Sequence, residues 1–300
     1  MDTLQQKETL NYFEEYAKDW KEKASGQKPS KVNVINQRNG YVLEVINSHP
    51  DIQKTLDVGC GTGELVHEIA KLNINAVGVD FSSEMIRLSK EIADGENLTN
   101  AEFICSSIFE FDTPDNSFDL ISANGFLEYI SYTQFDAFLA YACKILKPNG
   151  SIVLGSRNRL FNLLSMNQYT ANEITNHHVE KLLNEAMIIA NMKEPAELLN
   201  IDTVPLEEPG QTHANTGIDV STRFQFTPAQ LVNMLDAKGF KVKGLCPIHI
   251  HGVIPSFASG HKETHFQVSN LLSAVGNDDK ASRNKLIPLA SSFMIHASKS

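Results

Sequence analysis

The sequence predicts an α/β protein with a doubly wound, mostly parallel sheet. Between residues 33 and 155, short apolar segments of strand length alternate with longer segments of helical periodicity. This alternation is typical of parallel strands covered by helices on both faces. A glycine-rich turn at 59–63 follows the first predicted strand, and Asp80 ends the second. A turn and a carboxylate in these places are typical of a nucleoside-binding βαβ unit.

The first half of the chain supplies most of the predicted elements. Residues 5–24 carry apolar side chains at helical spacing, so we predict a helix whose apolar face either closes over a ligand or packs against the sheet. The elements that follow are helix 33–48, strand 54–58, helix 63–72, strand 75–79, helix 83–93, strand 102–105, strand 118–122, helix 133–146 and strand 151–155.

The second half of the chain interrupts this alternation. The strand pattern stops after residue 156 for about seventy residues, which is too long for a bare loop. Helical spacing recurs between Asn172 and Asn191, so we predict a helical insert. Thr227 and Pro228 are a typical helix start, after which the alternation resumes. The later predicted elements are helix 228–238, strand 241–247, helix 264–275 and strand 292–297.

The glycine-rich turn and two carboxylates indicate which ligand binds. Glycines lack a Cβ, so the backbone of the turn can approach a ligand closely. Asp80, at the end of the second strand, is placed to accept hydrogen bonds from two ribose hydroxyls. Asp57, just before the turn, would repel a pyrophosphate and attract an ammonium group. We therefore expect a ligand with a ribose, an amino-acid end and no phosphate.

Four motifs resemble those of class I S-adenosylmethionine-dependent methyltransferases. They are Asp57-Val-Gly-Cys-Gly-Thr-Gly63, Asp80-Phe-Ser-Ser-Glu-Met85, Ser117-Phe-Asp-Leu-Ile-Ser-Ala-Asn124 and Leu146-Lys-Pro-Asn-Gly-Ser-Ile-Val-Leu154. The resemblance covers residues 55–155. It implies a Rossmann-like sheet of seven strands, the last antiparallel. It also implies the cofactor S-adenosyl-L-methionine, bound across the carboxyl ends of the strands.

The region before the first motif is similar to that of quinol O-methyltransferases of ubiquinone synthesis. The similarity is carried by Phe13, Trp20, Arg38 and their neighbours. It implies that Arg38 binds the methionyl carboxylate of the cofactor. An amphipathic helix with a surface arginine explains the same pattern equally well.

Two positions depart from the family patterns. Many relatives place an aspartate for the adenine amino group where this chain has Ser107, so we expect adenine to be held by the Ile108 backbone, Phe81, Met85 or water. Quinol enzymes read Leu-Glu-His where this chain has Tyr129 at the third position. The predicted cofactor-binding residues are Trp20, Arg38, Asp57, Gly59, Gly61, Gly63, Asp80, Phe81, Met85, Ser107, Ile108 and Asn124.

Histidines near the sixth predicted strand are candidates for catalysis. A hydroxyl acceptor needs a base, and His249 and His251 would point the same way on a strand beside the insert. We name His249, His251 and Tyr129 as catalytic candidates, with structural roles as the alternative. The insert offers further polar side chains, each more typical of a solvated helix face or a helix cap: Asn158, Arg159, Asn162, Asn167, Tyr169, His177 and His178.

The two histidines also raise the question of a metal site. His261 and His265 could add ligands to the His249-x-His251 pair. Zinc and iron sites need three or four converging ligands, and no cysteine spacing supports one here. The sequence-based expectation is therefore no metal.

Composition and charge narrow the class of protein. A net charge of −10 argues against broad contact with nucleic acid. The four cysteines lack paired spacing, which is typical of reduced cytoplasmic proteins. No signal peptide or apolar run of about eighteen residues occurs, so we expect no stable membrane association. The expected partner is a small-molecule methyl acceptor, and the sequence carries no signal for oligomeric state.

These observations predict a three-part organisation and an activity. Residues 1–48 form a helical cover of the cofactor, 49–156 with 227–300 form the core, and 157–226 form a helical lid over the substrate. The expected function is S-adenosyl-L-methionine-dependent methyl transfer to a small soluble metabolite, with oxygen as the favoured acceptor atom. The alternatives are a lipid quinol O-methyltransferase, an NAD(P)-binding oxidoreductase and a non-catalytic cofactor-binding protein.

Overall fold

A seven-stranded sheet forms the centre of the molecule. The computed structural model describes residues 4–16, 32–207 and 224–300. The strands have the spatial order β3-β2-β1-β4-β5-β7-β6; β7 runs antiparallel to both neighbours, and the other pairs are parallel. This arrangement confirms the predicted fold class. The bounds are β1 (Lys54–Val58), β2 (Asn75–Asp80), β3 (Ala101–Cys105), β4 (Phe118–Ala123), β5 (Leu146–Arg157), β6 (Phe240–Ile250) and β7 (Ala290–Lys299).

Helices connect the strands and cover both faces of the sheet. Several begin at a polar cap, and at the predicted cap Thr227 the side chain accepts a hydrogen bond from the Gln230 amide. The helices are α1 (Leu4–Glu15), α2 (Val34–Asn47), α3 (Glu64–Lys71), α4 (Ser83–Gly95), α5 (Tyr132–Ile145), α6 (Asn162–Ser165), α7 (Gln168–Thr175), α8 (Val179–Asn191), α9 (Pro228–Asp236), α10 (Pro255–Gly260), α11 (Lys262–Asp278) and α12 (Lys280–Leu286).

The sheet separates two apolar cores. On β4, the adjacent residues Leu120 and Ile121 are fully buried but belong to different clusters. Successive side chains of a strand point to opposite faces, so each face of the sheet is covered. The continuous apolar pattern of the central strands follows from this double burial.

Some predicted elements differ from those observed. The predicted helix 5–24 is described as α1 only to Glu15, and Trp20 lies outside the described residues. The helical spacing noted over 172–191 falls on two helices, α7 and α8, which are separated at His177, whose φ of +57° cannot continue a right-handed helix. The one helix expected over 264–275 is α11, which is longer and is flanked by α10 and α12.

Polar groups that we considered for the substrate instead stabilise the insert. Arg159 and Glu173 form a buried ion pair of 2.8 Å, and Asn162 donates to the same carboxylate at 2.8 Å. Although burial opposes ionisation, Arg159 holds the pKa of Glu173 below its usual value. The Asn158 side-chain amide donates to two backbone carbonyls: that of Ile287, just before β7, at 2.7 Å, and that of Ala290, the first residue of β7, at 2.9 Å. These contacts attach the insert to the sheet.

Candidate active site

A cavity of about 640 Å³ lies at the carboxyl ends of the parallel strands. Pockets of this size typically hold small ligands and lie at this edge of α/β sheets. Gly63 lies behind the wall and supports the turn. The predicted site residues that line the cavity are Arg38, Asp57, Gly59, Gly61, Asp80, Phe81, Met85, Ser107, Ile108, Asn124, Tyr129, His249 and His251.

The glycine-rich turn needs its glycines for two different reasons. Gly59, Gly61 and Gly63 all have positive φ, between +55° and +84°, which favours glycine. At Gly63 space is also lacking, because a Cβ would lie 2.6 Å from the Phe103 ring and 2.9 Å from Ser89 Cβ. The turn is therefore held tightly against β3 and α4.

Asp57 is buried at the base of the turn. Its carboxylate accepts a hydrogen bond of 2.6 Å from the Ser122 hydroxyl on the neighbouring strand. Burial raises the pKa of Asp57 to about 7, although the bond from Ser122 lowers it and the charge of Asp80 raises it further. A cation bound in the cavity would favour the ionised form, as expected for an ammonium partner.

Asp80 joins the second strand to the turn. One carboxylate oxygen accepts from the Gly61 amide and the other from the Ser82 amide, both at 2.9 Å. Burial raises the pKa of Asp80, while these amide bonds lower it. Each carboxylate oxygen has a second lone-pair direction, which leaves the pair able to accept from two ribose hydroxyls.

Arg38 projects from α2 into the same cavity. Its Nη2 donates to the Ser292 hydroxyl on β7 at 3.2 Å. Gly125 leaves room for it, since a Cβ there would lie 2.7 Å from Arg38 Nη1. Nearby, Asn124 donates to Asn39 at 3.2 Å. An arginine at this position could pair with a carboxylate of a bound ligand.

The expected adenine side of the cavity is largely apolar. Met85 and Ile108 are buried, and Phe81 lines the wall beside them. The Ser107 hydroxyl accepts a hydrogen bond of 3.3 Å from the Phe109 amide. These surfaces could hold a flat base mainly through packing.

Helix α1 closes over this end of the cavity. Thr9 and Phe13 line the wall, and the Phe13 ring packs edge-on against Tyr129 with 5.6 Å between centroids. Glu14 accepts from the Ser83 amide at 2.7 Å, which attaches α1 to the start of α4. Helix α1 therefore contributes to the cavity wall, and its role as a cover of the cofactor stays a prediction.

His249 and His251 also line the cavity, together with residues that sequence reasoning missed. Their ring centroids lie 4.1 Å apart, so the predicted pair does come together. Arg157 and Phe161 complete this wall, and no local pattern marks either of them. Thr9 was also missed, although it lies one turn before Phe13 on the same helix face. The seven polar insert residues named above are not among the described residues that line the cavity.

A third histidine approaches this pair from helix α11. The Nε2 atoms of His249 and His265 are 3.0 Å apart. Burial, followed by the neighbouring histidines, lowers the pKa of His249 to about 3 and that of His251 to about 4. Both imidazoles are therefore neutral near pH 7. His261, the other residue considered, stacks on Phe257 instead.

Comparisons with known proteins identify relatives. A family model described as a methyltransferase domain matches residues 50–215. The ubiquinone biosynthesis O-methyltransferase of Pasteurella multocida is 30% identical over 169 residues, covering 53% of this chain and 67% of that protein. The protein of the same name from Rhodopseudomonas palustris is 33% identical over 106 residues, covering 35% and 40%. The chain thus spans between 40% and 67% of the length of these two curated relatives.

Solved structures share the fold at low sequence identity. Magnesium protoporphyrin IX methyltransferase from Synechocystis, solved with bound SAH, has a TM-score of 0.60 at 12% identity, covering 99% of this chain and 100% of that one. A SAM-dependent methyltransferase from Methanosarcina mazei has a TM-score of 0.53 at 18% identity, covering 85% and 96%. Together with the family model and the site geometry, these similarities show that the chain belongs to the S-adenosylmethionine-dependent methyltransferases.

Proposed function

We propose that this protein transfers a methyl group from S-adenosylmethionine to a hydroxyl oxygen of a small soluble metabolite. The observation that carries the proposal is one cavity lined by two chemically different groups of residues. Asp57 and Asp80 belong to the end that we assign to the cofactor and His249 and His251 to the end that we assign to the acceptor, while Arg38 is close enough to His249 for its charge to lower the pKa of that imidazole.

The residues at the first end fit S-adenosylmethionine. Asp80 offers acceptors to ribose hydroxyls, Asp57 a negative charge to the ammonium group, and Arg38 a planar cation to the carboxylate. The cavity presents no comparable cluster of cations that would favour a pyrophosphate, as judged from its described lining. When bound, the cofactor supplies a methyl group attached to a sulfonium.

The residues at the second end would bind and orient the acceptor. Phe161, whose ring centroid lies 4.6 Å from that of His251, supplies an aromatic wall that excludes water. His249 and His251 are neutral near pH 7, so each has a ring nitrogen able to accept a hydrogen bond from an acceptor hydroxyl. Holding that hydroxyl in line with the methyl group is the main catalytic task of such a site.

The size of the cavity favours a small acceptor over a polyprenyl quinol. A volume of about 640 Å³ must hold both the cofactor and the reacting part of the acceptor, so a long apolar tail would have to lie outside the cavity. Among the residues that the structure describes, no helix is long and apolar enough to cross a bilayer. The curated relatives are named for ubiquinone biosynthesis, so a quinol acceptor is the alternative to test.

The four cysteines support a cytoplasmic location as part of this proposal. All four are free thiols, and burial raises the pKa values of Cys60, Cys105 and Cys246. Free thiols are usual in a reducing compartment. A fluorescent fusion found outside the cytoplasm would contradict this assignment.

The proposal is tested by measuring cofactor binding and methyl transfer separately. Calorimetry with S-adenosylmethionine should show binding that Asp80→Asn weakens by about 10- to 100-fold, the equivalent of losing about 1.5–3 kcal/mol of charged hydrogen bonding. The exposed Asp94 provides a matched control, and Asp94→Asn should bind normally. A labelled methyl donor then identifies which members of a panel of phenols, sugars, hydroxy acids and a short-chain quinol are methylated. Binding of NADH without binding of S-adenosylmethionine would refute the proposal.

A further inference from the structure

Three histidines from distant parts of the sequence meet at the acceptor end of the cavity. His249 lies at the end of β6, His251 directly follows that strand, and His265 lies on α11. One ring nitrogen from each lies within 4.8 Å of the other two. Histidines adjacent on a strand are common, but a third from a separate helix is not explained by periodicity.

The spacing of the nitrogens suits a shared metal ion. Metal–imidazole bonds of about 2.0–2.1 Å place two ligand nitrogens about 2.9 Å apart at a right angle and about 3.3 Å apart at a tetrahedral angle. The Nε2 atoms of His249 and His265 are 3.0 Å apart, within this range. One ring nitrogen of His251 lies within 4.8 Å of the other two ligand atoms, so it must move closer when the ion binds.

Hydrogen bonding within the described chain does not account for all three rings. The contact between His249 and His265 can be a hydrogen bond between neutral imidazoles. His251, however, has both ring nitrogens buried without a hydrogen-bond partner among the described residues, and the same holds for Nδ1 of His265. Buried polar atoms without partners cost stability unless a ligand satisfies them.

The backbone at His249 is also unusual. Its φ is +54°, in the left-handed region that a non-glycine residue rarely adopts. Its amide donates to the Gln37 side chain at 2.7 Å, which holds this conformation. Such conformations tend to occur where a side chain must be aimed at a functional site. Here the conformation accompanies the close approach of the His249 ring to His251.

We propose that His249, His251 and His265 bind one divalent first-row transition-metal ion. Three protein ligands leave a coordination position open, as in catalytic rather than structural metal sites. Because His249 and His251 line the cavity, the open position would face the acceptor. The role of the ion rests on the proposed function: it would hold the acceptor hydroxyl and lower its pKa. The hydroxyl proton would leave to solvent water as the oxygen takes the methyl group from the sulfonium, and the imidazoles would serve as metal ligands and not as hydrogen-bond acceptors for the hydroxyl.

Metal binding is tested without substrate, on full-length protein purified without a polyhistidine tag and stripped with a chelator. Titration with Co²⁺ should produce visible d–d absorption that saturates at one ion per chain, and Zn²⁺ should displace it. His251→Ala and His265→Gln should each weaken binding by more than the roughly 10–100-fold cost of removing a supporting group. His261→Ala is the matched control, since His261 lies one turn from His265 but outside the cluster.

The outcomes distinguish this proposal from the proposed function. Calorimetry with S-adenosylmethionine serves as the folding control for each variant and reports the cofactor site independently. Cobalt binding without methyl transfer would support the metal site and contradict the proposed reaction. Absence of saturable d–d absorption, or binding that neither His251→Ala nor His265→Gln weakens, would overturn the metal site even if methyl transfer is found.

Discussion

Within the glycine-rich turn, Gly63 has the least space for a side chain, and the variant Gly63→Ala tests how much stability depends on that packing. Two costs combine at this position. A left-handed conformation costs a residue with a Cβ about 1–2 kcal/mol, and φ at Gly63 is +84°. The added methyl would also lie 2.6 Å from the Phe103 ring and 2.9 Å from Ser89 Cβ. Such overpacking costs about 1–3 kcal/mol, so we expect a total loss of about 2–5 kcal/mol.

Two other glycines separate these costs. Gly59 has a φ of +69°, but its nearest contact to an added Cβ is an ordinary 3.6 Å. Gly59→Ala should therefore lose only the backbone cost of about 1–2 kcal/mol. Gly95, the last residue of α4, has neither a positive φ nor an atom within 4 Å of an added Cβ. Gly95→Ala should be neutral or stabilising by about 0.4–1 kcal/mol.

Equilibrium urea unfolding of the three variants measures these differences. Calorimetry with S-adenosylmethionine adds a functional reading, because a displaced loop would break the 2.9 Å bond between the Gly61 amide and Asp80. We expect Gly63→Ala to be the least stable of the three and to bind the cofactor least tightly. The reasoning is refuted if Gly63→Ala loses no more stability than Gly59→Ala.

The remaining predictions concern charge and packing around the site. The proposed contact with the cofactor ammonium requires ionised Asp57, whose pKa is about 7. The affinity should then fall as pH is lowered from 8 to 6, and Asp57→Asn should remove this dependence in calorimetry. Gly125→Ala should weaken cofactor binding, because the new Cβ would lie 2.7 Å from Arg38 Nη1 and displace it. Arg159→Met should lower the free energy of unfolding by about 3–5 kcal/mol, since the buried Glu173 carboxylate loses its arginine and keeps only its contacts with Asn162 and His178.

Each of these predictions has a control and a contradicting result. The effect of Asp57 on the pH dependence of stability is opposite to its effect on cofactor binding. The pKa of Asp57 is higher in the folded protein than in the unfolded one, so the free energy of unfolding of the ligand-free protein should decrease as pH rises from about 4 to 7. A cofactor affinity independent of pH would contradict the assigned ammonium contact. Gly125→Ala should not weaken binding further in an Arg38→Ala background. Lys181→Met, which removes an exposed ion pair with Asp202, should leave unfolding nearly unchanged.

The cofactor end of the site could be predicted from sequence because its signals are local. Asp57, the glycines and Asp80 lie within one βαβ unit, and the carboxyl ends of neighbouring parallel strands necessarily meet. The expectation that the turn approaches its ligand depended only on residue type and spacing. Even here the structure added a fact, since the two carboxylate oxygens of Asp80 already bind the Gly61 and Ser82 amides.

The acceptor end could not be predicted in the same way. Arg157 and Phe161 lie in the insert segment, and no sequence pattern indicates that they line the cavity with His251. His261 and His265 looked equivalent as companions for the histidine pair, yet only His265 joins it. The choice depends on how α11 packs against β6, which is a matter of contacts distant in sequence.

The sequence by itself therefore determined the fold class, the family and one group of residues that line the cavity, because strand periodicity and a short motif fix them within one structural unit. Tertiary structure decided which other residues complete the cavity. It brought His249, His251 and His265 together and assigned Arg159 to a buried ion pair with Glu173. The physical reason is that side chains far apart in sequence converge only through packing of whole elements, and that packing has no local signature.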